Sequence, residues 1–253
     1  MKKHKKGIAG LFAALLFILA ADTMLLFIVG MPRLEDEVMQ REWQGLDLLE
    51  KYQENPDMAG WLQVEGTSIN YPVMRGEKYL YRDFRRESNV SGSLFVEDDW
   101  TGADMCTLIY GHNMWMYGTM LNPLHRFADG DFFRRNRHIK FYVILDGGRS
   151  AEKRTYEILC CSKTSVDTWN YASCQYIGSI EELNRFLSDC RNRAVQRTDT
   201  VFEAGQAIVL STCSYHVRGG KGRLLLTGSL TSRREQTKID LQQKKDLKDE
   251  AKN

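Results

Sequence analysis

Eight short runs of strand character, separated by Gly, Asn and Pro, constrain this chain more than any other feature. They fall at residues 60–64, 68–73, 92–96, 106–110, 139–145, 156–161, 207–212 and 223–230. Apolar, β-prone runs of this length between turn signals read as strands, and eight of them point to a barrel or a sandwich. Apolar spacing between them predicts helices over 117–127, 129–136 and 180–191, the last with Ile180, Leu183, Phe186 and Leu187 on one stripe. The domain is therefore mainly β with added helices. A chain of 253 residues with 43% hydrophobic content has enough apolar material for one core.

Upstream of the strands, residues 7–31 form an apolar run with no Lys, Arg or Glu and a single Asp, Asp22. At about 1.5 Å per helical residue such a run crosses a hydrocarbon layer of about 30 Å. The sequence thus predicts a single N-terminal transmembrane helix. Lys2, Lys3, Lys5 and Lys6 place the N-terminus in the cytoplasm and everything after Pro32 outside. The alternative is a cleaved signal peptide, but the run exceeds the roughly 7–15 apolar residues of such a segment, and Leu19-Ala20-Ala21 is a poor cleavage site. Asp22 carries a cost at mid-depth unless it is paired or interfacial. Leu34, Val38, Trp43, Leu46, Leu49 and Tyr52 then recur at helical spacing until Asn55-Pro56-Asp57 stops the pattern.

The expected organisation is a basic cytoplasmic segment at 1–6, the span at 7–31, a helical linker at 32–57, a catalytic domain at 58–232 and a charged tail at 233–253. The formal charge of +2 comes from the two ends, since residues 7–232 are net acidic. A body of that sign has no footprint for phosphate backbones, which excludes nucleic acid as a partner.

Six cysteines stand at 106, 160, 161, 174, 190 and 213. No C-x-x-C occurs, so neither a zinc ribbon nor a thioredoxin-type site is indicated. Cys160 and Cys161 are adjacent in a strand-like run, so their side chains face opposite sides and one is expected in the core. Cys174 and Cys190 flank the 180–191 helix and are expected to be the exposed pair should any disulfide form.

A thiol attacks as thiolate and needs a partner that generates or stabilises the anion, most often imidazole. Cys213 ends the apolar run that includes Ala207-Ile208-Val209-Leu210, and His112 follows Thr107-Leu108-Ile109-Tyr110. Strand ends that open into loops are where reactive groups are presented. Taken singly, each also reads as an ordinary residue, a buried small hydrophobe or a structural histidine. An oxyanion formed by thiolate attack calls for a donor charged at every step, which guanidinium is. Arg223 opens the last strand after Gly219-Gly220-Lys221-Gly222, close enough along the chain to Cys213 for a hairpin to bring the two together.

Together these segments resemble the sortase family over most of the chain. Tyr110-Gly111-His112-Asn113-Met114 resembles its histidine motif, Leu210-Ser211-Thr212-Cys213-Ser214-Tyr215 its cysteine motif, and Gly222-Arg223-Leu224 its arginine strand. Class B in particular is resembled by Asn55-Pro56-Asp57 leading to Gly60-Trp61-Leu62, by Ile69-Asn70-Tyr71-Pro72-Val73, by Gly92-Ser93-Leu94-Phe95, and by the helix-bearing insertion before the cysteine. Val209 departs from the family, whose cysteine motif usually begins with Thr there. Asp98-Asp99-Trp100 follows the early strands and reads as an ordinary loop instead of an N-terminal lid.

The resemblance implies an eight-stranded sortase-type β-barrel with an N-terminal helical region. It further implies a membrane-anchored extracellular cysteine transpeptidase without metal or cofactor. Cys213 would attack the threonine carbonyl of a C-terminal sorting motif in a secreted protein, and an amine of the cell-wall precursor would resolve the thioacyl enzyme. His112 would shuttle the proton, and Arg223 would stabilise the oxyanion. Ser211 and Thr212, beside the nucleophile, are candidates for lining the substrate groove or simply for strand hydrogen bonding. Two other readings are a surface cysteine hydrolase that passes its acyl group to water, and a catalytically silent wall-associated scaffold.

Overall fold

A computed structural model of the chain describes residues 48–199 and 205–236. The 1–6 segment, the 7–31 run, most of the predicted 34–54 helix and the tail beyond 236 lie outside the described residues. Among the described residues no helix is long and apolar enough to cross a membrane.

All eight expected runs are strands. They are β1 (Met58–Val64), β2 (Asn70–Arg75), β3 (Leu94–Val96), β4 (Cys106–Tyr110), β7 (His138–Leu145), β8 (Ser150–Ser165), β10 (Ala207–Cys213) and β11 (Gly222–Gln236). Three short strands are added: β5 (Asn113–Met114), β6 (Thr119–Met120) and β9 (Ala194–Arg197). The main sheet runs β11-β10-β4-β3-β2-β1-β7-β8-β9, and β11 also pairs with β8, so the eight long-predicted strands close on themselves as a barrel. Closure removes the exposed edges that an open sheet of this size would present. β11 continues past the boundary expected at 232 because β8 accompanies it, with Gln236 opposite Ala151.

The apolar runs are nearly continuous because both faces of these strands are covered. In β10, Ile208 and Leu210 enter the barrel interior with Leu224, Leu226, Tyr156, Ile158 and Cys161. Ala207 and Val209 face outward into a second cluster with Leu225, Leu159 and Cys160. That outer cluster is roofed by a 3₁₀ segment, Tyr171–Tyr176, and by the helix α3 (Ile180–Asn192), which contributes Leu183, Phe186, Leu187 and Cys190. Ser179 caps the helix by accepting from the Glu182 N–H, which satisfies one of its free N-terminal donors. A third cluster joins α1 (Leu48–Glu54), through Leu49, to Met58, Trp61, Tyr79 and Phe84.

Two local expectations change. In place of a helix over 117–127 there is a β5–β6 hairpin followed by a 3₁₀ segment, Asn122–Ala128. Gly118 at φ 70° and Met120 at φ 55° take left-handed conformations no α-helix contains, and Pro123 begins the 3₁₀ turn. The expected exposed pair, Cys174 and Cys190, is instead buried and free, each thiol 1% exposed or less. Cys106, Cys160, Cys174 and Cys190 share the outer cluster, while Cys161 lies inside the barrel. Burial pushes the Cys161 thiol up to about 12. The short helix α2 (Gly130–Arg135), capped by Asp129, stands where the 129–136 pattern places it.

Candidate active site

β4 and β10 run parallel, with Tyr110 opposite Ser211. Their last backbone rung is the Gly111 N–H to the Ser211 carbonyl, 3.2 Å. Carried two residues further, that register brings His112 level with Cys213. On the other side of β10 the antiparallel pairing with β11 sets Cys213 opposite Arg223. The Ser214 N–H donates to the Gly222 carbonyl at 2.9 Å, so Ser214 and Gly222 form a hydrogen-bonded pair. Cys213 and Arg223 are therefore of the alternate, non-hydrogen-bonded kind, in which opposed side chains lie closest. Cys213 thus ends the central strand of three, flanked by the histidine segment and by the arginine strand.

Two glycines make this approach possible. A Cβ on Gly222 would sit 2.1 Å from the Ser214 carbonyl oxygen, and one on Gly111 would sit 2.4 Å from Leu94 Cδ2. The first obstacle is backbone and cannot yield. The loop before Arg223 turns through Gly219 and Gly220, at φ 76° and 71°. The Arg223 Nη1 donates back to the Gly220 and Gly222 carbonyls, 2.7 and 2.9 Å, which holds the guanidinium at the barrel end.

His112 is half-buried. Its Nε2 lies 2.9 Å from the Leu80 carbonyl, which can only accept, so Nε2 carries the proton and Nδ1 is the basic atom of the neutral ring. The Tyr81 ring lies alongside, centroids 5.3 Å apart. Leu80 belongs to a 3₁₀ turn, Glu77–Tyr81, that is tied down by the Asn-Pro-Asp stop. Tyr79 Oη donates to Asp57 at 2.9 Å, and Asn55 Nδ2 donates to Tyr79 Oη at 2.9 Å and to the Phe84 carbonyl at 2.6 Å.

Burial pushes the His112 imidazole below its ordinary value, and the Leu80 hydrogen bond offsets only part of that. His125 is likewise lowered by burial, with Lys163 and His216 adding to the effect against the hydrogen bond to Cys213. For both histidines the folded chain binds the proton less tightly than the unfolded one does. Their contribution to stability is therefore complete above the ordinary histidine value of 6.5 and is lost as pH falls from there through the lowered values. Urea midpoints measured from pH 8 downward are expected to be level at first and to decline below that value. His112→Gln should flatten part of the decline, and an unchanged slope in that variant would contradict the neutral, buried assignment.

Of the residues expected from sequence, Cys213, His112 and Arg223 come together at one barrel end. Ser211 and Thr212 do not line a groove. Each is 2% exposed, Ser211 bonded to Tyr171 Oη at 2.9 Å and Thr212 Oγ1 donating to the Gly111 carbonyl at 2.9 Å. Parallel pairing with β4 and the cover of residues 171–176 turn both side chains into structural supports. Val209 is fully buried in the outer cluster, where an apolar residue suits its surroundings. The Asp98-Asp99-Trp100 loop is pinned by Trp100, whose carbonyl accepts from Arg75 Nη1 at 2.5 Å.

Two polar residues near Cys213 that the sequence reading missed are His125 and Asn122. His125 Nε2 lies 3.1 Å from the Cys213 carbonyl, which also accepts from Asn113 Nδ2 at 2.9 Å. Asn122 Nδ2 donates to Asn113 Oδ1 at 2.6 Å. Nothing in the spacing marks His125 or Asn122, which occupy a segment that reads as helical.

No protein-family model matches the chain. Sortase B of Staphylococcus aureus is 27% identical over 165 residues, 63% of this chain. That match spans 64% of the Staphylococcus protein, less than two thirds of its length. Sortase B of Listeria monocytogenes is 27% identical over 185 residues, covering 71% of this chain and 72% of that one. A class B sortase of Streptococcus pyogenes, known from its crystal structure, superposes with a TM-score of 0.61 at 25% identity over 74% of this chain and all of the other. With a closed eight-stranded barrel and sequence likeness to both relatives, the chain is similar to the class B sortases in fold and in sequence.

Proposed function

We propose that the protein is a cysteine transpeptidase that cleaves a sorting motif in secreted proteins and transfers the acyl group to an amine. The observation that carries this reading is the strand register that sets Cys213 between His112 and Arg223 at one barrel end. The Cys213 thiol gives its proton to the His112 imidazole, the resulting thiolate attacks the scissile carbonyl, and the electron pair displaced onto oxygen is stabilised by the Arg223 guanidinium. The tetrahedral adduct collapses to a thioester as the imidazolium of His112 gives its proton to the departing amine. A cell-wall amine then attacks the thioester, His112 takes the proton from it, and the thiolate leaves.

The scissile residue is threonine by likeness to the family, and the acceptor is an amine of the wall precursor. Residues 7–31 anchor the chain in the membrane with the catalytic domain outside, a reading supported by the length of the apolar run and its basic flank.

The test is product analysis of sorting-peptide cleavage with and without an added amine. A ligated peptide is expected with the amine present. Hydrolysis alone at every amine concentration would make the enzyme a cysteine hydrolase, and no cleavage across a panel of sorting motifs would leave the scaffold reading. The full chain is expected in the membrane fraction and a chain starting near residue 34 in the soluble one. Release of a protein lacking residues 1–22 into the medium would refute the anchor.

A further inference from the structure

We propose that the segment 121–125, together with Asn113, is a brace that positions the nucleophile relative to its proton shuttle, with His125 and Asn113 as its donors to Cys213. The inference rests on the reading of Cys213 as nucleophile and adds two positioning residues to it.

In a parallel pair each carbonyl of one strand accepts from an N–H of the other at every second residue. Gly111 N–H to the Ser211 carbonyl is one such rung, so the next would run from the Asn113 N–H to the Cys213 carbonyl. It does not form that way, because β4 has ended and Asn113 pairs with Met120 in the β5–β6 hairpin. The divergence opens the barrel end beside Cys213 and would leave its carbonyl without a ladder partner. A carbonyl so placed needs another donor.

Side chains supply it. Asn113 Nδ2 and His125 Nε2 converge on the Cys213 oxygen at 2.9 and 3.1 Å, one for each lone pair. They also approach each other to 3.1 Å. Since Nδ2 is a donor and His125 Nε2 donates to the carbonyl, that short approach follows from a shared acceptor. The Asn113 amide is held in this sense by Asn122, whose Nδ2 donates to Asn113 Oδ1 at 2.6 Å. Asn113 is 8% exposed.

The same segment also grips the histidine side of the site. The Leu121 N–H donates to the His112 carbonyl at 3.0 Å. Five consecutive residues therefore hold the main chain of His112 at one end and of Cys213 at the other. Their own position is set by Leu121, Leu124 and Phe127, all buried in the barrel core, and by Pro123 at the start of the 3₁₀ turn. Small misplacements of reacting groups carry large rate costs. Fixing both backbones from one rigid segment sets the separation on which proton transfer depends.

The test compares His125→Ala, His125→Gln and Asn113→Asp with wild type, with thermal melting to confirm folding. His125→Ala and Asn113→Asp are each expected to lower kcat about tenfold with KM changed less than threefold. His125→Gln retains an N–H donor at comparable reach and should recover most of the loss. Alkylation of Cys213 by iodoacetamide, read by mass at fixed pH, should slow in the same order without any substrate. Folded variants with wild-type kcat would overturn the brace, as would equal losses in His125→Gln and His125→Ala tracking a fall in melting temperature. If Asn113→Asp does not fold, the His125 pair decides alone. Cys213→Ala separates the two levels: activity in that variant refutes the nucleophile, whereas its inactivity beside unimpaired His125 and Asn113 variants refutes only the brace.

Discussion

Cys213→Ala is expected to abolish both peptide cleavage and the covalent intermediate, a loss of at least about 10⁴-fold in turnover. The size of the effect follows from burial. The other five cysteines are each 1% exposed or less, so no second thiol can reach a peptide carbonyl. Cys213 alone is partly open, and native alkylation should label it and spare the rest. His112→Ala should keep that alkylatable thiol yet lose about 10²–10⁴-fold in turnover, because the leaving amine has no proton donor. The two variants therefore differ by intact mass in the presence of a sorting peptide, since only Cys213→Ala is incapable of any thioester. A thioester detected in Cys213→Ala would reassign the nucleophile.

Arg223→Lys should lower kcat on the order of 10²-fold while the protein remains folded, comparable to the loss of one oxyanion donor. In the structure the Nη1 of Arg223 already serves two loop carbonyls, Gly220 and Gly222, and the planar fork carries further N–H groups that can serve an oxyanion at the same time. A lysine ammonium has the charge and lacks the fork, so holding the loop and stabilising an oxyanion compete for one group. Arg223→Ala should be at least as slow as Arg223→Lys. Near-normal kcat in a folded Arg223→Ala would make Arg223 an ordinary residue of the last strand, and the oxyanion donor would have to be sought among backbone N–H groups.

Much of the site was legible because it lies at strand ends, and strand ends are written locally. Tyr110-Gly111-His112 and Thr212-Cys213-Ser214 each mark the point where an apolar run meets a loop, and Gly222-Arg223 marks the start of another. The glycine-rich connection to Arg223 is short enough for a hairpin, and the structure forms one with Cys213 opposite Arg223. The pairing of β4 with β10 is different. It joins segments about a hundred residues apart, and only barrel closure brings His112 level with Cys213.

The sequence by itself determined the eight strands, the mainly β class and the strand-end positions of His112, Cys213 and Arg223, because period, turn residues and strand termini are properties of neighbouring positions. The tertiary structure alone decided which side chains stay open to solvent. Ser211 and Thr212 look available beside a nucleophile, yet Tyr171 and the Gly111 carbonyl, both remote in sequence, cover them. It also decided that four cysteines meet under α3 and that His125, 88 residues from Cys213, holds its carbonyl. Those outcomes depend on which segment packs against which face of the closed sheet. Local periodicity carries no information about that choice, since a strand buried on both faces reads the same whatever covers it.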